Sequence, residues 1–122
     1  MKNDFKGKTG IERLINAISY SFSGFKVAFQ KEEAFRQEIL LTIILVPLAI
    51  YLANNAVETA LLVFSTFLVP IIELVNSAIE STVDRISMKK HKLSMRAKDI
   101  GSAAVFLSLV NLFTVWLIII FY

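Results

Sequence analysis

Glu73, Asn76, Glu80 and Asp84 stand at offsets of zero, three, seven and eleven. On a helix these offsets project to about 0°, 300°, 340° and 20°, one stripe roughly 80° wide. No charge lies between Thr59 and Ile72, so Glu73 stands at the end of an apolar run. Asp84 adjoins a segment carrying Arg85, Lys89, Lys90, Lys92, Arg96 and Lys98. At 1.5 Å per residue Glu73 lies about 16 Å deeper than Asp84 along the helix axis. A carboxylate at that depth is expensive and requires a reason. Three are available: helix packing through paired polar groups, a proton or ion pathway, or a metal and catalytic site.

Two glutamates seven apart with an asparagine between them, beside a cationic loop, suit the third reason, because carboxylates bind Mg²⁺ and cations bind phosphate. Mg²⁺ usually takes one or two protein carboxylates and leaves its other positions to water and nucleotide phosphates. Glu80 suits that role, with Glu32 the nearest second carboxylate in topology. Glu73, withdrawn from bulk water, is suited to accept a proton from a hydroxyl arriving from the lipid side. The phosphate-binding loops of soluble kinases are missing: the four glycines form no GxxxxGK[ST] loop, and there is no HRD or DFG.

The elements that must carry these residues are membrane helices. With 56% hydrophobic residues and a mean hydropathy of +0.65, 122 residues hold more apolar surface than a soluble core of that size uses. Uncharged stretches occur from Ile39 to Val57, from Thr59 to Ile72 and from Ile100 to Tyr122. The second continues with helical periodicity through the acidic stripe. All thirteen Lys and Arg fall within positions 2–36 and 85–98. The positive-inside rule therefore puts the N-terminus and the 85–98 loop in the cytoplasm and the C-terminus outside, which needs three spans. The first thirty residues lack an apolar signal-peptide region, so no cleaved leader is expected. Without cysteine, disulfide and thiolate chemistry are excluded. Topology and anionic headgroups account for the basic residues, and the net charge of +3 gives no reason to expect a nucleic-acid partner.

Ahead of the spans, Thr9 to Glu12 matches a capping box, which predicts a helix starting near Gly10. Ile11, Leu14, Ile15, Ile18, Phe22, Phe25 and Phe29 then form one apolar stripe. Too polar to span, this helix is expected to lie in the headgroup region and bring Arg13 and Tyr20 to the cytoplasmic boundary; packing on other protein is the competing account. The chain is thus expected to be one all-α membrane domain: a surface amphipathic helix over about 10–30, then transmembrane helices over about 35–54, 57–86 with a cytoplasmic extension, and 97–121. Pro47 and Pro70 should kink their spans unless neighbours compensate, and Pro70, one turn before Glu73, could adjust how that carboxylate is presented.

The run ELVNSAIE at 73–80, followed by STVDR at 81–85, closely resembles the signature of the prokaryotic diacylglycerol kinase family. EAFRQE at 33–38 and RAKDIGSAAV at 96–105 support the resemblance in order and spacing over nearly the whole chain. It implies transfer of the ATP γ-phosphoryl group to diacylglycerol, giving phosphatidic acid, at the bacterial inner membrane. It also implies a homotrimer with active sites shared between subunits.

Position by position, the resemblance makes Glu73 the general base, with Asn76 orienting groups beside it, and makes Glu32 and Glu80 the Mg²⁺ carboxylates. Lys98 and Asp99 are similar to the family's nucleotide contacts, with Lys90 and His91 beside them. Arg13 and Tyr20 match positions near the nucleotide and headgroup; Gln37, Ser102 and Trp116 match positions near the lipid. The chain departs from the family pattern at Met95, where a glycine is expected, and at Lys90 and Lys92, where an aromatic and an acidic residue are expected. Relatives in the family phosphorylate undecaprenol, although Asp84-Arg85 and the Phe-Arg-Gln-Glu run look more like the diacylglycerol branch. A proton-coupled transporter using Glu73 is the alternative from a different class.

Overall fold

The computed structural model of the protein describes residues 9–86 and 91–122. Its elements are four helices: α1 (Gly10–Lys31), α2 (Glu33–Leu52), α3 (Ala56–Ile86) and α4 (Lys92–Phe121). The chain divides into two compact units, Met1–Glu32 and Glu33–Tyr122. The first holds α1, whose Ile11, Leu14, Ile15, Ile18, Phe22, Phe25 and Phe29 are all exposed. Within this stripe Phe22 and Phe25 meet edge to face, with ring centroids 6.2 Å apart. The helix is entered through Gly10 at φ +64°, a conformation that glycine adopts freely, and the Thr9 hydroxyl makes no capping hydrogen bond.

The second unit holds α2, α3 and α4, each long and apolar enough to cross a membrane. α3 packs against both α2 and α4 and so occupies the middle. Ala49, Leu62, Val69, Leu112 and Trp116 close the core between them. Outward-facing Ile43, Ile50, Phe64, Phe67, Phe106 and Phe113 are exposed, the arrangement expected where lipid is the solvent and the backbone satisfies itself within helices. The helices continue through Pro47 and Pro70.

Two caps determine where the spans begin. At the α2–α3 turn, the Glu58 amide donates to Asn55 Oδ1 at 2.9 Å while the Asn54 amide donates to Glu58 Oε1 at 3.1 Å. This arrangement resembles a capping box, and it satisfies otherwise free amides at the α3 start. At α4, His91 is the N-cap: its Nδ1 accepts from the Leu93 amide at 3.1 Å. The helix therefore begins at Lys92, ahead of the apolar stretch, and the charged residues Arg96, Lys98 and Asp99 become helical.

Candidate active site

Along α3 the acidic stripe passes from buried to half-buried. Glu73 is 5% exposed and Asn76 7%, whereas Glu80 and Asp84 are partly open. The gradient follows from the sequence, since the stripe leaves the apolar core near Pro70 and ends at the loop where α3 stops.

Different neighbours meet this stripe at different levels. Near the loop, Asp84 Oδ1 pairs with Lys98 Nζ at 2.6 Å, and the charge of Glu80 also acts on Lys98. Deeper, the buried Gly101 of α4 lies against the Asn76 side chain. From α2, the buried Glu38 lies within electrostatic range of Glu73. Three enclosed side-chain atoms here have no hydrogen-bond partner: Glu38 Oε1, Asn76 Oδ1 and Ser77 Oγ. Buried polar atoms normally find partners, so such a cluster within one short stretch is a departure to explain.

Among the residues expected to serve the site, Asn76, Glu80 and Lys98 lie along the α3–α4 seam, and Glu73 stands one turn before Asn76 on α3, within electrostatic range of Glu38 on α2. Asp99, Ser102 and Gln37 are exposed on α4 and α2. Trp116 turns inward: it is 8% exposed, and its Nε1 donates to Thr66 Oγ1 at 3.1 Å. His91 is exposed and occupied as the α4 cap. Arg13 and Tyr20 are exposed on α1, and half-buried Glu32 ends that unit, its amide donating to the Ala28 carbonyl at 2.9 Å. Lys90, expected among the nucleotide contacts, lies outside the described residues.

In the sequence Glu38 bounds the first uncharged stretch and ends the EAFRQE run, and neither place gives it a role in the site. Its signal was present: a carboxylate followed immediately by an apolar run faces the cost of burial as Glu73 does. What sequence could not supply was the side of α2 that meets α3.

A helical membrane enzyme is the class of protein that this arrangement suits, with a buried carboxylate on α3 and, farther along the same stripe, a cation from the facing α4. The family model for prokaryotic diacylglycerol kinase matches residues 19–120. The chain is 49% identical over 112 residues to the Diacylglycerol kinase of Pseudomonas aeruginosa, which covers 92% of this chain and 91% of that relative. With the Diacylglycerol kinase of Haemophilus influenzae it shares 48% over 108 residues, covering 88% and 92%. With that of Escherichia coli strain K12 it shares 44% over 111 residues, covering 91% of each. The chain belongs to the prokaryotic diacylglycerol kinase family, a family of lipid kinases.

Proposed function

We propose that this protein transfers the γ-phosphoryl group of ATP to the hydroxyl of diacylglycerol at the cytoplasmic face of a bacterial inner membrane, with Mg²⁺. The observation that carries the reading is Glu73, a carboxylate 5% exposed at the end of an apolar helical run, on one stripe with Asn76 and Glu80 that reaches Lys98. Diacylglycerol reaches such a carboxylate from the membrane and ATP reaches Lys98 from the aqueous loop side.

In this reading Glu73 takes the proton from the lipid hydroxyl. The hydroxyl oxygen forms its bond to the γ-phosphorus as the bond to the ADP oxygen breaks, giving phosphatidic acid and ADP. Asn76 orients the reacting groups. Lys98 leaves Asp84 to meet phosphate, exchanging one anionic partner for another. By the family resemblance Asp99, His91, Lys90, Arg13 and Tyr20 serve the nucleotide and headgroup and Gln37 and Ser102 the lipid, whereas Trp116, which the resemblance sets with the last two, is turned into the core. Phosphoryl transfer asks little covalent chemistry of a protein and much positioning and charge neutralisation, which this inventory supplies.

Glu80, a half-buried carboxylate on the α3 stripe, supports Mg²⁺, which needs only one or two such hard oxygens when phosphates and water complete its shell. The family resemblance is what adds Glu32. When bound it neutralises phosphate charge. Among the described residues there is no group of three or more His, Cys, Asp and Glu side chains that would hold a metal alone. Basic residues confined to positions 2–36 and 85–98 support a cytoplasmic N-terminus and an external C-terminus. The family resemblance supports a homotrimer with shared sites.

The test is ATP-to-lipid phosphoryl transfer by purified protein in mixed micelles with Mg²⁺, with diacylglycerol and undecaprenol offered in parallel and Glu73→Gln as control. Phosphatidic acid from wild type alone is expected. Product mainly from undecaprenol would move the substrate and keep the chemistry. No product from either lipid, with ATP-independent proton flux in vesicles, would replace the kinase by a transporter.

A further inference from the structure

Gly101 differs from the other glycines among the described residues. A Cβ added to Gly10 or Gly24 meets nothing within 4 Å. At Gly101 it would overlap Asn76 Oδ1, with Asn76 Cγ at 3.1 Å and Asn76 Cβ at 3.9 Å. Both residues are buried, and Gly101 lies inside α4 with helix on both sides. A mid-helix glycine is a poorer choice than alanine for the helix itself, because it has more backbone freedom to lose. Its presence here must be offset by what its missing side chain permits.

What it permits is a notch in α4 that the Asn76 amide fills. Asn76 Oδ1 is enclosed and accepts no hydrogen bond, so shape alone holds that end of the side chain. A carboxamide is planar and its two polar ends point apart, so fixing one end fixes the direction of the other. Gly101 is also one helical turn beyond Lys98, on the same side of α4, and Lys98 pairs with Asp84 of the same stripe. The notch and the ion pair therefore set one register between α3 and α4.

We propose that Gly101 is a positioning residue for phosphoryl transfer, its absent side chain seating the Asn76 amide beside the Glu73 carboxylate. The inference rests on the lipid-kinase reading of the site and adds a residue to it. With alanine at 101 the amide must rotate out of its seat or the two helices must part. Either displaces Asn76 from the reacting groups while leaving Glu73 and Lys98 chemically intact.

The experiment uses the full-length protein in mixed micelles with ATP, Mg²⁺ and diacylglycerol. It compares wild type, Gly101→Ala, Asn76→Ala, the double variant, and Gly24→Ala, where the added methyl group meets open space. The readouts are kcat, KM for each substrate and the thermal unfolding midpoint. Misplacement of an orienting group by about 1 Å can cost roughly 100-fold, so kcat of Gly101→Ala is expected to fall about 10- to 100-fold. KM for ATP should stay within about twofold, since ATP binding as ground-state affinity does not use this amide. Gly24→Ala should keep wild-type kcat. The double variant should be no slower than Asn76→Ala alone, because a residue acting only through its neighbour has no effect once the neighbour is gone.

Wild-type kcat in folded Gly101→Ala overturns the inference, as do losses that multiply in the double variant. Should Gly101→Ala fail to fold, the double variant decides: folding restored by Asn76→Ala supports the seat, and folding still lost shows that α4 needs the glycine for itself. A wild type that makes no phosphorylated lipid overturns the kinase reading and the inference with it, whereas an active wild type beside an equally active Gly101→Ala overturns the inference alone.

Discussion

The two halves of the α2–α4 unit bury polar groups in opposite ways. Toward the α2–α3 turn, Ser65 and Thr66 are each 1% exposed, yet both donate to the Leu62 carbonyl, at 3.0 and 2.7 Å, and Thr66 also accepts from Trp116. On α2, Thr42 likewise donates to the Glu38 carbonyl at 2.8 Å. Toward the loop, Glu38, Asn76 and Ser77 enclose side-chain atoms with no partner. A hydroxyl that bonds back to its own helix lowers the cost of its burial and asks nothing of a ligand. An enclosed carboxylate or amide oxygen without a partner raises the cost, and that cost persists in a fold only where something else requires the group. The first half is built to be a fold, and the second is built around groups that the fold alone does not use.

The largest effect that sharpens this division is expected at Glu73. Glu73→Gln keeps the size of the side chain and removes the proton acceptor, so turnover should fall by about 10²- to 10⁴-fold. The unfolding midpoint should not drop, since one buried charge has been removed. Wild-type turnover in folded Glu73→Gln would end the general-base role. Lys98→Ala comes next. Loss of a charged hydrogen bond to phosphate, worth about 1.5–3 kcal/mol, should reduce kcat/KM for ATP by about 10- to 100-fold. Asp84→Asn in parallel tests whether the pair supports the fold: both side chains are near 40% exposed (39% and 44%), where ion pairs contribute about 0–1 kcal/mol, so the midpoint should barely move. A collapse of stability in Asp84→Asn would assign the pair to the fold after all.

The stripe, the three spans and the start of α1 were legible because each depends on periodicity or on an uninterrupted run, and both survive without tertiary information. Hydropathy could not reveal which side of α2 faces α3, so nothing in the sequence set Glu38 beside Glu73. Nor could spacing reveal that Gly101 of α4 meets Asn76 of α3, since the contact is between helices and not along one. The caps show the same limit at short range. Thr9 and Glu12 carry the capping-box pattern, but the chain enters α1 through Gly10 at positive φ and Thr9 caps nothing; Asn55 and Glu58 do the capping at α3.

Glu38→Gln tests a smaller effect, and it has opposite signs for fold and function. Glu38 is 9% exposed and lies near the charge of Glu73, so an amide, which cannot ionise, relieves the electrostatic cost of a carboxyl group there. Stability should rise by about 1 kcal/mol, the usual return when a site's strain is relieved, and turnover should fall about tenfold as the setting of Glu73 changes. Thermal unfolding and the micelle assay on one preparation measure both. If stability falls instead, Glu38 belongs with the satisfied half.

Trp116→Phe is expected to change turnover least, and it separates two jobs that one residue could hold. The family resemblance sets Trp116 toward the lipid substrate, while its indole is buried against Ala49, Leu62, Val69 and Leu112 and bonded to Thr66. Phenylalanine fills most of the same space and cannot donate. If the indole serves the core, the variant should lose about 1–3 kcal/mol of stability through the lost bond and reduced packing. Thr66 would lose a donor but keep its bond to the Leu62 carbonyl, so no second group is stranded. Turnover and KM for diacylglycerol should then stay at wild-type values at temperatures well below unfolding. A raised KM for diacylglycerol with an unchanged unfolding midpoint would reverse the assignment, carrying the substrate surface down α4 into the half of the bundle whose buried polar groups are otherwise all satisfied by the fold.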